Sequence, residues 1–229
     1  MAPWGHIGKT FLRAGLLALL LGLVHRAAAQ TITKNGTTGN LNTGGDWTGG
    51  TAPGATSIAL WTNTSAGGSF NLGGNLTWGE IKIVNPTGNV TFNTGNTLTL
   101  DGVNGIGIDM STATRTLTIN PEVILGASQT WLTGAGGGLT IGGSLSTANG
   151  GFQLTIGGTG NATLSGVVSG TGKLDMNSSG LLTLGSANTY SGGTIISNGT
   201  LLATTLFNTG SSSSSIGTGS LTLNGGTLR

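Results

Sequence analysis

The chain has 229 residues, 46 of them Gly, and only 6 % are charged; Lys and Arg outnumber Asp and Glu by 8 to 6, a formal net charge of +2. With no Cys, disulfides, thiol nucleophiles and Cys-ligated metals are excluded. The two histidines, His6 and His25, both lie near the N-terminus, so the rest of the chain has no imidazole for a Ser–His triad, a His-ligated zinc or a His general base.

The first element in chain order is a three-part export signal over residues 1–29. Lys9 and Arg13 supply positive charge, residues 14–24 (AGLLALLLGLV) form an apolar run, and Ala27, Ala28 and Ala29 offer an A-x-A cleavage site before Gln30. The run is shorter than the roughly 20 apolar residues that a spanning helix needs. Cleavage would remove both histidines along with Lys9, Arg13 and Arg26. Five basic residues would remain (Lys34, Lys82, Arg115, Lys173, Arg229) against six acidic ones (Asp46, Glu80, Asp101, Asp109, Glu122, Asp175), and 5 − 6 leaves −1. The calculated pI near 9.4 therefore belongs to the unprocessed chain. No basic patch remains to attract phosphates, so nucleic acid is not an expected partner. No later segment is apolar enough for the mature chain itself to insert into a membrane.

Beyond residue 29, apolar residues recur between Gly clusters, which a solvated linker would not need. Residual disorder is expected mainly at residues 30–45 and 211–215. Residues 30–79 read as an N-terminal lead-in and capping region, and residues 80–229 as the repeat body.

One short unit recurs: an apolar residue, Thr and a second apolar residue, bounded by Gly or Asn. It occurs as Leu76-Thr77-Trp78, Val90-Thr91-Phe92, Leu98-Thr99-Leu100, Leu117-Thr118-Ile119, Leu139-Thr140-Ile141, Leu154-Thr155-Ile156, Leu182-Thr183-Leu184 and Leu221-Thr222-Leu223. Such alternation sends successive side chains to opposite faces, so each unit is predicted to be a short half-buried strand. Gly-Gly, Asn-Gly and Thr-Gly pairs around the units supply turn residues. No stretch has capped helical periodicity, so the chain after the signal is expected to be all-β.

The central Thr residues at 99, 118, 140, 155 and 183 lie 19, 22, 15 and 28 positions apart. This spacing suits a right-handed parallel β-helix, or solenoid, with Thr and Asn stacked in ladders and Leu, Ile and Val filling the bore. At roughly 20 residues per coil it predicts about 8–10 coils and a rod about 40–50 Å long. The alternative architecture is a β-sandwich or jelly roll.

Residues 180–202, GLLTLGSANTYSGGTIISNGTLL, resemble the autotransporter-associated β-strand repeat, also called the passenger-associated transport repeat. The match is carried by Leu182-Thr183-Leu184, Asn188-Thr189-Tyr190-Ser191-Gly192-Gly193-Thr194 and Gly199-Thr200-Leu201, with Gly185-Ser186 standing where the family usually has Ser-Gly. Partial units lie at Gly170-Thr171-Gly172-Lys173-Leu174 and Gly217-Thr218-Gly219-Ser220-Leu221-Thr222-Leu223. A stretch from Asp46-Trp47 to Leu60-Trp61 resembles the lead-in that often precedes such repeats.

The resemblance implies a β-helical passenger on an exported or surface-displayed bacterial protein, whose repeats aid secretion and folding. The implied location is extracellular or on the outer-membrane side of the cell surface, with the periplasm in transit. The implied role is non-enzymatic, structural or adhesin-like, with a surface glycan or cell-envelope partner. No run of ~10-residue alternating strands for a membrane barrel occurs, so a translocating barrel is expected to lie outside this chain. Residues 224–229 read as the start of a further coil, which suggests a truncated product or one piece of a longer passenger.

No catalytic, cofactor or metal residues are assigned, and the candidates considered each have a plainer reading. Residues 104–109 (NGIGID) approach the calcium nonapeptide, but as a single copy with Asn for the first Gly, and Ser111 where the repeat has a large apolar residue. A turn is expected there. Asp101, Asp109 and Glu122 would converge only if their coils stack, with Arg115 as the nearby cation, to give the paired acids that polysaccharide cleavage needs; surface solvation is the plainer reading. Trp47, Trp61 and Trp78 are expected to cap the solenoid rather than to stack on sugars, and Trp131 stands apart. Residues 134–138 (GAGGG) open no helix and precede no Lys-Ser/Thr, so no phosphate loop is expected. Asn35, Asn75 and Asn198 begin Asn-x-Thr triplets and are expected at turns and ladder positions.

Overall fold

Strands of three to five residues hold only when neighbouring coils complete their hydrogen bonds, and coil-on-coil stacking dictates this architecture. The computed structural model describes residues 28–36, 39–147, 150–207 and 213–229. Apart from Ala28 and Ala29, the expected export signal over residues 1–29 lies outside those residues. The chain winds into a β-solenoid with three parallel columns of strands.

The first column runs Gln30–Thr33, Ser57–Trp61, Glu80–Ile83, Ile106–Met110, Gln129–Thr133, Leu154–Gly158, the first halves of Leu174–Leu184 and Thr194–Ala203, then Leu221–Leu223. The second runs Gly68–Phe70, Val90–Phe92, Leu117–Ile119, Leu139–Ile141, Ala162–Leu164, the second halves of the same two long strands, then Thr227–Leu228. The third runs Leu76–Trp78, Thr97–Leu100, Glu122–Leu125, Leu145–Ser146 and Val168–Ser169. Ser57–Trp61 pairs directly with Glu80–Ile83, so the first column runs unbroken across residues 79 and 80. The nine layers of that column imply a rod of about 40 Å. Among the described residues the only helical segment is the short 3₁₀ turn Gly44–Asp46.

All eight apolar–Thr–apolar units form strands, but they belong to different columns. Leu76 and Leu98 lie in third-column strands, Leu154 and Leu221 lie in the first column, and the other four units lie in the second. Spacing along the sequence therefore mixes three sides of the coil. The register instead aligns Thr91, Thr118, Thr140, Thr163 and Thr183 as one outward second-column ladder, with steps of 27, 22, 23 and 20. Thr163 belongs to Ala162-Thr163-Leu164, in which a small residue occupies the first apolar position.

The inward positions form a continuous core. Ile32, Ala59, Ile81, Ile108, Trp131, Ile156, Met176 and Ile196 stack along the first column, and all are buried. Residues 30–45 are more ordered than expected where described: Gln30–Thr33 pairs with the next coil, and Ile32, Lys34 and Leu41 are buried. Ser214 likewise bridges Asn188, and Ser215 is buried.

Corners are closed largely by asparagine. Asn75 Oδ1 accepts the Thr97 N–H at 3.1 Å, Asn89 Oδ1 the Thr116 N–H at 3.2 Å, and Asn161 Oδ1 the Leu181 N–H at 2.9 Å. Asn93 Nδ2 donates to Asn71 Oδ1 at 2.9 Å, one rung of an amide ladder. Asn85, Asn96 and Asn104 hold positive φ, a conformation Asn tolerates better than most residues. Gly193, at φ 95°, turns into the long strand where an added Cβ would sit 2.8 Å from the Ser220 carbonyl oxygen.

Candidate functional site

The sequence candidates separate once the coils are stacked. Glu122 pairs with Thr97 at the start of its strand, whereas Asp101 follows Leu100 at the far end. Four residues of extended chain put these acids about 13 Å apart. Asp109 lies in a different column, so the three-acid convergence does not form. Arg115 is exposed in the turn before Leu117, and the cation beside Asp109 is Lys82 instead.

Lys82 and Asp109 are register partners on adjacent coils and form an ion pair. Asp109 also accepts the Ser111 N–H at 3.0 Å and the Ser111 hydroxyl at 2.6 Å. Burial alone would raise the Asp109 pKa, but the Lys82 and Ser111 hydrogen bonds outweigh it and hold the group below the ordinary carboxylate value. Asp109 is thus engaged by protein donors, and of the turn expected over residues 104–109 only Asn104 and Gly105 form one, Ile106–Met110 being a strand. Glu80, two residues before Lys82 on the same strand face, is buried. Burial pushes its pKa up to about 7; Lys82 opposes the shift and Asp109 adds to it. The Glu80–Lys82–Asp109 cluster escaped sequence reasoning because Lys82 and Asp109 become neighbours only through the register of adjacent coils.

Trp47, Trp61 and Trp78 lie inside the bore, each no more than 1 % exposed. Trp47 packs edge-on against Trp61 at 5.3 Å and Trp78 at 5.7 Å, and Trp61 meets Phe92 at 5.6 Å. They cap and fill the first coils, and stacking on a sugar from outside is geometrically excluded. Trp131 is also fully buried; its Nε1–H donates to Gln129 Oε1 at 3.1 Å, while Gln129 Nε2 donates to the Leu100 carbonyl at 2.7 Å.

The repeat-like segment supplies a second buried polar system. Asn188 is fully buried; its Oδ1 accepts the Val168 N–H at 2.7 Å and its Nδ2 donates to the Ser215 carbonyl at 2.6 Å. One side chain therefore ties three successive coils together. Tyr190 is buried, with its hydroxyl 2.5 Å from Thr194 Oγ1, and Thr194 Oγ1 donates to the Ile216 carbonyl at 2.8 Å. Burial pushes the Tyr190 pKa up to about 12 despite the Thr194 contact.

A shallow trough follows the corner between the third and first columns. It encloses about 550 Å³ and is lined by Ala28, Ala29, Gln30, Thr56, Asp101 and Asn104 among others. A second depression of about 340 Å³ is lined by Gly105, Ser128, Gln129, Thr130, Gln153 and Thr155. Burial raises the Asp101 pKa. Elsewhere, residues 134–138 pack against the previous turn: a Cβ on Gly134 would meet the Ser111 and Met110 carbonyl oxygens. Among the described residues, no group of three or more His, Asp or Glu could hold a metal ion, and no helix is long and apolar enough to cross a membrane.

These elements define a three-column β-solenoid with polar ties between its coils. No family model, curated protein or solved structure matches the chain.

Proposed function

We propose that the chain is a non-enzymatic, structural or adhesin-like passenger segment of an exported, autotransporter-type bacterial protein. The observation that best supports this reading is Asn188, the first residue of the N-T-Y-S-G-G-T match, which joins coils through Val168 and Ser215. A repeat whose distinctive residues stitch one coil to the next is suited to progressive folding as a chain emerges from a membrane, because each coil templates the one that follows. The test is expression of the full chain in a Gram-negative host, followed by fractionation. A product cleaved before Gln30 and located beyond the inner membrane is expected; an uncleaved cytoplasmic product would overturn the reading. Asn188→Ala should lower the exported yield relative to Asn198→Ala, whose side chain is exposed in the middle of the strand Thr194–Ala203.

A second reading, a secreted carbohydrate-binding protein, draws on the corner trough and the second depression, whose hydroxyl and amide side chains offer neutral hydrogen-bonding groups. A glycan array with wild type and Gln153→Ala decides it. Binding lost on substitution favours this second reading, and no binding by wild type removes it.

A further inference from the structure

The buried Lys34–Asp46 pair at the N-terminal end of the rod lies apart from the ladders, the trough and the repeat ties. Lys34 follows the first strand and bridges Trp47 in antiparallel fashion. The N–H groups of Asn35 and Gly36 both donate to the Asp46 carbonyl, at 3.0 and 3.1 Å. The backbone therefore clamps residues 34–36 against 46–47 before either side chain is considered. Gly36 is required here, because any Cβ would overlap the Asp46 carboxylate.

Within this clamp Lys34 Nζ lies 3.7 Å from Asp46 Oδ1, and the two side chains are 0 % and 5 % exposed. The Phe70 ring centroid is 4.9 Å from Nζ and the Trp47 centroid 5.9 Å. Nζ also donates to the Gly36 carbonyl. Charges confined among aromatic walls carry a large desolvation cost. Burial accordingly lowers the Lys34 pKa against the opposing pull of Asp46, which favours the neutral amine needed for nucleophilic attack.

We infer that Lys34 Nζ and Asp46 Cγ join in an intramolecular amide bond. A proton passes from the ammonium to the carboxylate, leaving a neutral amine beside a neutral carboxylic acid. The nitrogen lone pair attacks Cγ and forms the C–N bond; the C–OH bond breaks, and the hydroxyl leaves with a second amine proton as one molecule of water. The balance requires no oxidant, reductant or co-reactant. Near-attack geometry is about 3–3.5 Å between reacting atoms, and here Nζ already lies 3.7 Å from Oδ1, an oxygen bonded to Cγ. The product keeps one N–H, which can retain the bond to the Gly36 carbonyl, and a neutral amide replaces a buried pair of charges. In a chain without cysteine, the bond would close residues 34–46 into a covalent ring, constraining the unfolded chain as a disulfide does. The inference stands independently of the proposed passenger role.

The test is mass spectrometry of the purified full chain after denaturation and chymotryptic cleavage. Before cleavage the denatured chain should weigh one water less than its processed sequence; after cutting at Leu41, inside the ring, the Lys34 and Asp46 pieces should stay joined, with fragmentation showing a new N-terminus at Asn42 that an uncut peptide of the same mass lacks. The joined species should disappear in Lys34→Arg and in Asp46→Ala. Two separate wild-type pieces of full mass would overturn the inference, as would a joined species that persists in Lys34→Arg. The wild-type measurement decides whether the bond exists even if a variant fails to fold.

Discussion

The two ends of the solenoid fill the same bore by different means. In the first column, successive coils near the N-terminus take 27, 22 and 27 residues, from Ile32 to Ala59, Ile81 and Ile108. These coils contain Trp47, Trp61, Phe70, Trp78 and Phe92 in a continuous aromatic cluster. From Ile156 to Met176 and Ile196 each coil takes 20 residues, and the interior is largely aliphatic. There the corners carry the polar ties: Thr133 Oγ1 donates to the Gly160 carbonyl at 2.9 Å, Ser178 Oγ to the Gly158 carbonyl at 3.1 Å, and Asn188 spans two interfaces. The strand-to-strand step is fixed near 4.8 Å in both halves, so coils can differ only in girth and filling. The N-terminal coils are filled by large apolar bodies, whereas the later coils, whatever their length, are held in register by small residues and side-chain-to-backbone hydrogen bonds.

The sharpest way to break this contrast is to remove one aromatic. Trp61 is fully buried and packs against Trp47, Phe70, Trp78 and Phe92. Trp61→Ala should cost about 3–5 kcal/mol, read as a fall in the urea midpoint. Trp61→Phe should cost much less, because the indole N–H has no hydrogen-bond partner to lose. Equal losses for the two variants would mean that volume is not what matters there.

Next in size is the polar tie of the other half. Asn188→Ala strips partners from the Val168 N–H and the Ser215 carbonyl, both inside the stack. Leaving such groups unpaired costs about 1–3 kcal/mol each at most, and a total near 2–3 kcal/mol is expected. Hydrogen exchange should show the loss at residues 168 and 188–190 and not in the aromatic coils. A loss spread evenly along the rod would show that the halves do not differ in how they are held.

These two sites also show what the sequence made legible. The eight apolar–Thr–apolar units reveal strands, and the absence of capped helical periodicity reveals an all-β chain, because strand alternation is a local property. Column membership is not local. Leu154-Thr155-Ile156 and Leu139-Thr140-Ile141 look alike yet lie on different sides of the coil, and only the loop lengths between them decide that. Asn188 was visible as a motif residue, but its inward direction was not, since Asn normally marks an exposed turn. The Glu80–Lys82–Asp109 cluster was hidden for a related reason: it depends on the coil register that sets Asp109 beside Lys82. Lys34, a lone charge in a Gly-rich lead-in, gave no sign of its burial.

Glu80 supplies a smaller, pH-dependent test within the aromatic half. Its folded pKa is raised from 4.5 to about 7, so the folded state holds this proton more tightly than the unfolded state. Its stabilising effect is fully present below pH 4.5 and is lost as pH rises toward 7. The slope from one such group is at most about 1.4 kcal/mol per pH unit. Asp109 acts in the opposite sense: its lowered pKa stabilises above the unfolded carboxylate value and is lost as pH falls through the folded one. Glu80→Gln should flatten the stability profile between pH 4.5 and 7 while leaving the acid limb from Asp109. An unchanged profile would place the titrating group elsewhere.

The smallest effect should come from the outward Thr ladder, which passes through both halves. Thr140 is half-buried and aligned between Thr118 and Thr163, where cross-strand neighbours contribute about 0.2–1 kcal/mol relative to alanine. Thr140→Ala should therefore shift the urea midpoint only slightly, and Thr140→Val, which keeps the β-branch, should shift it less. That ordering follows if the ladder works through strand-compatible shape. If Thr140→Val were instead as damaging as Asn188→Ala, hydroxyl-to-hydroxyl contacts along the ladder would be holding the coils, and the division between an aromatic-filled half and a polar-tied half would give way to a single polar seam running the length of the rod.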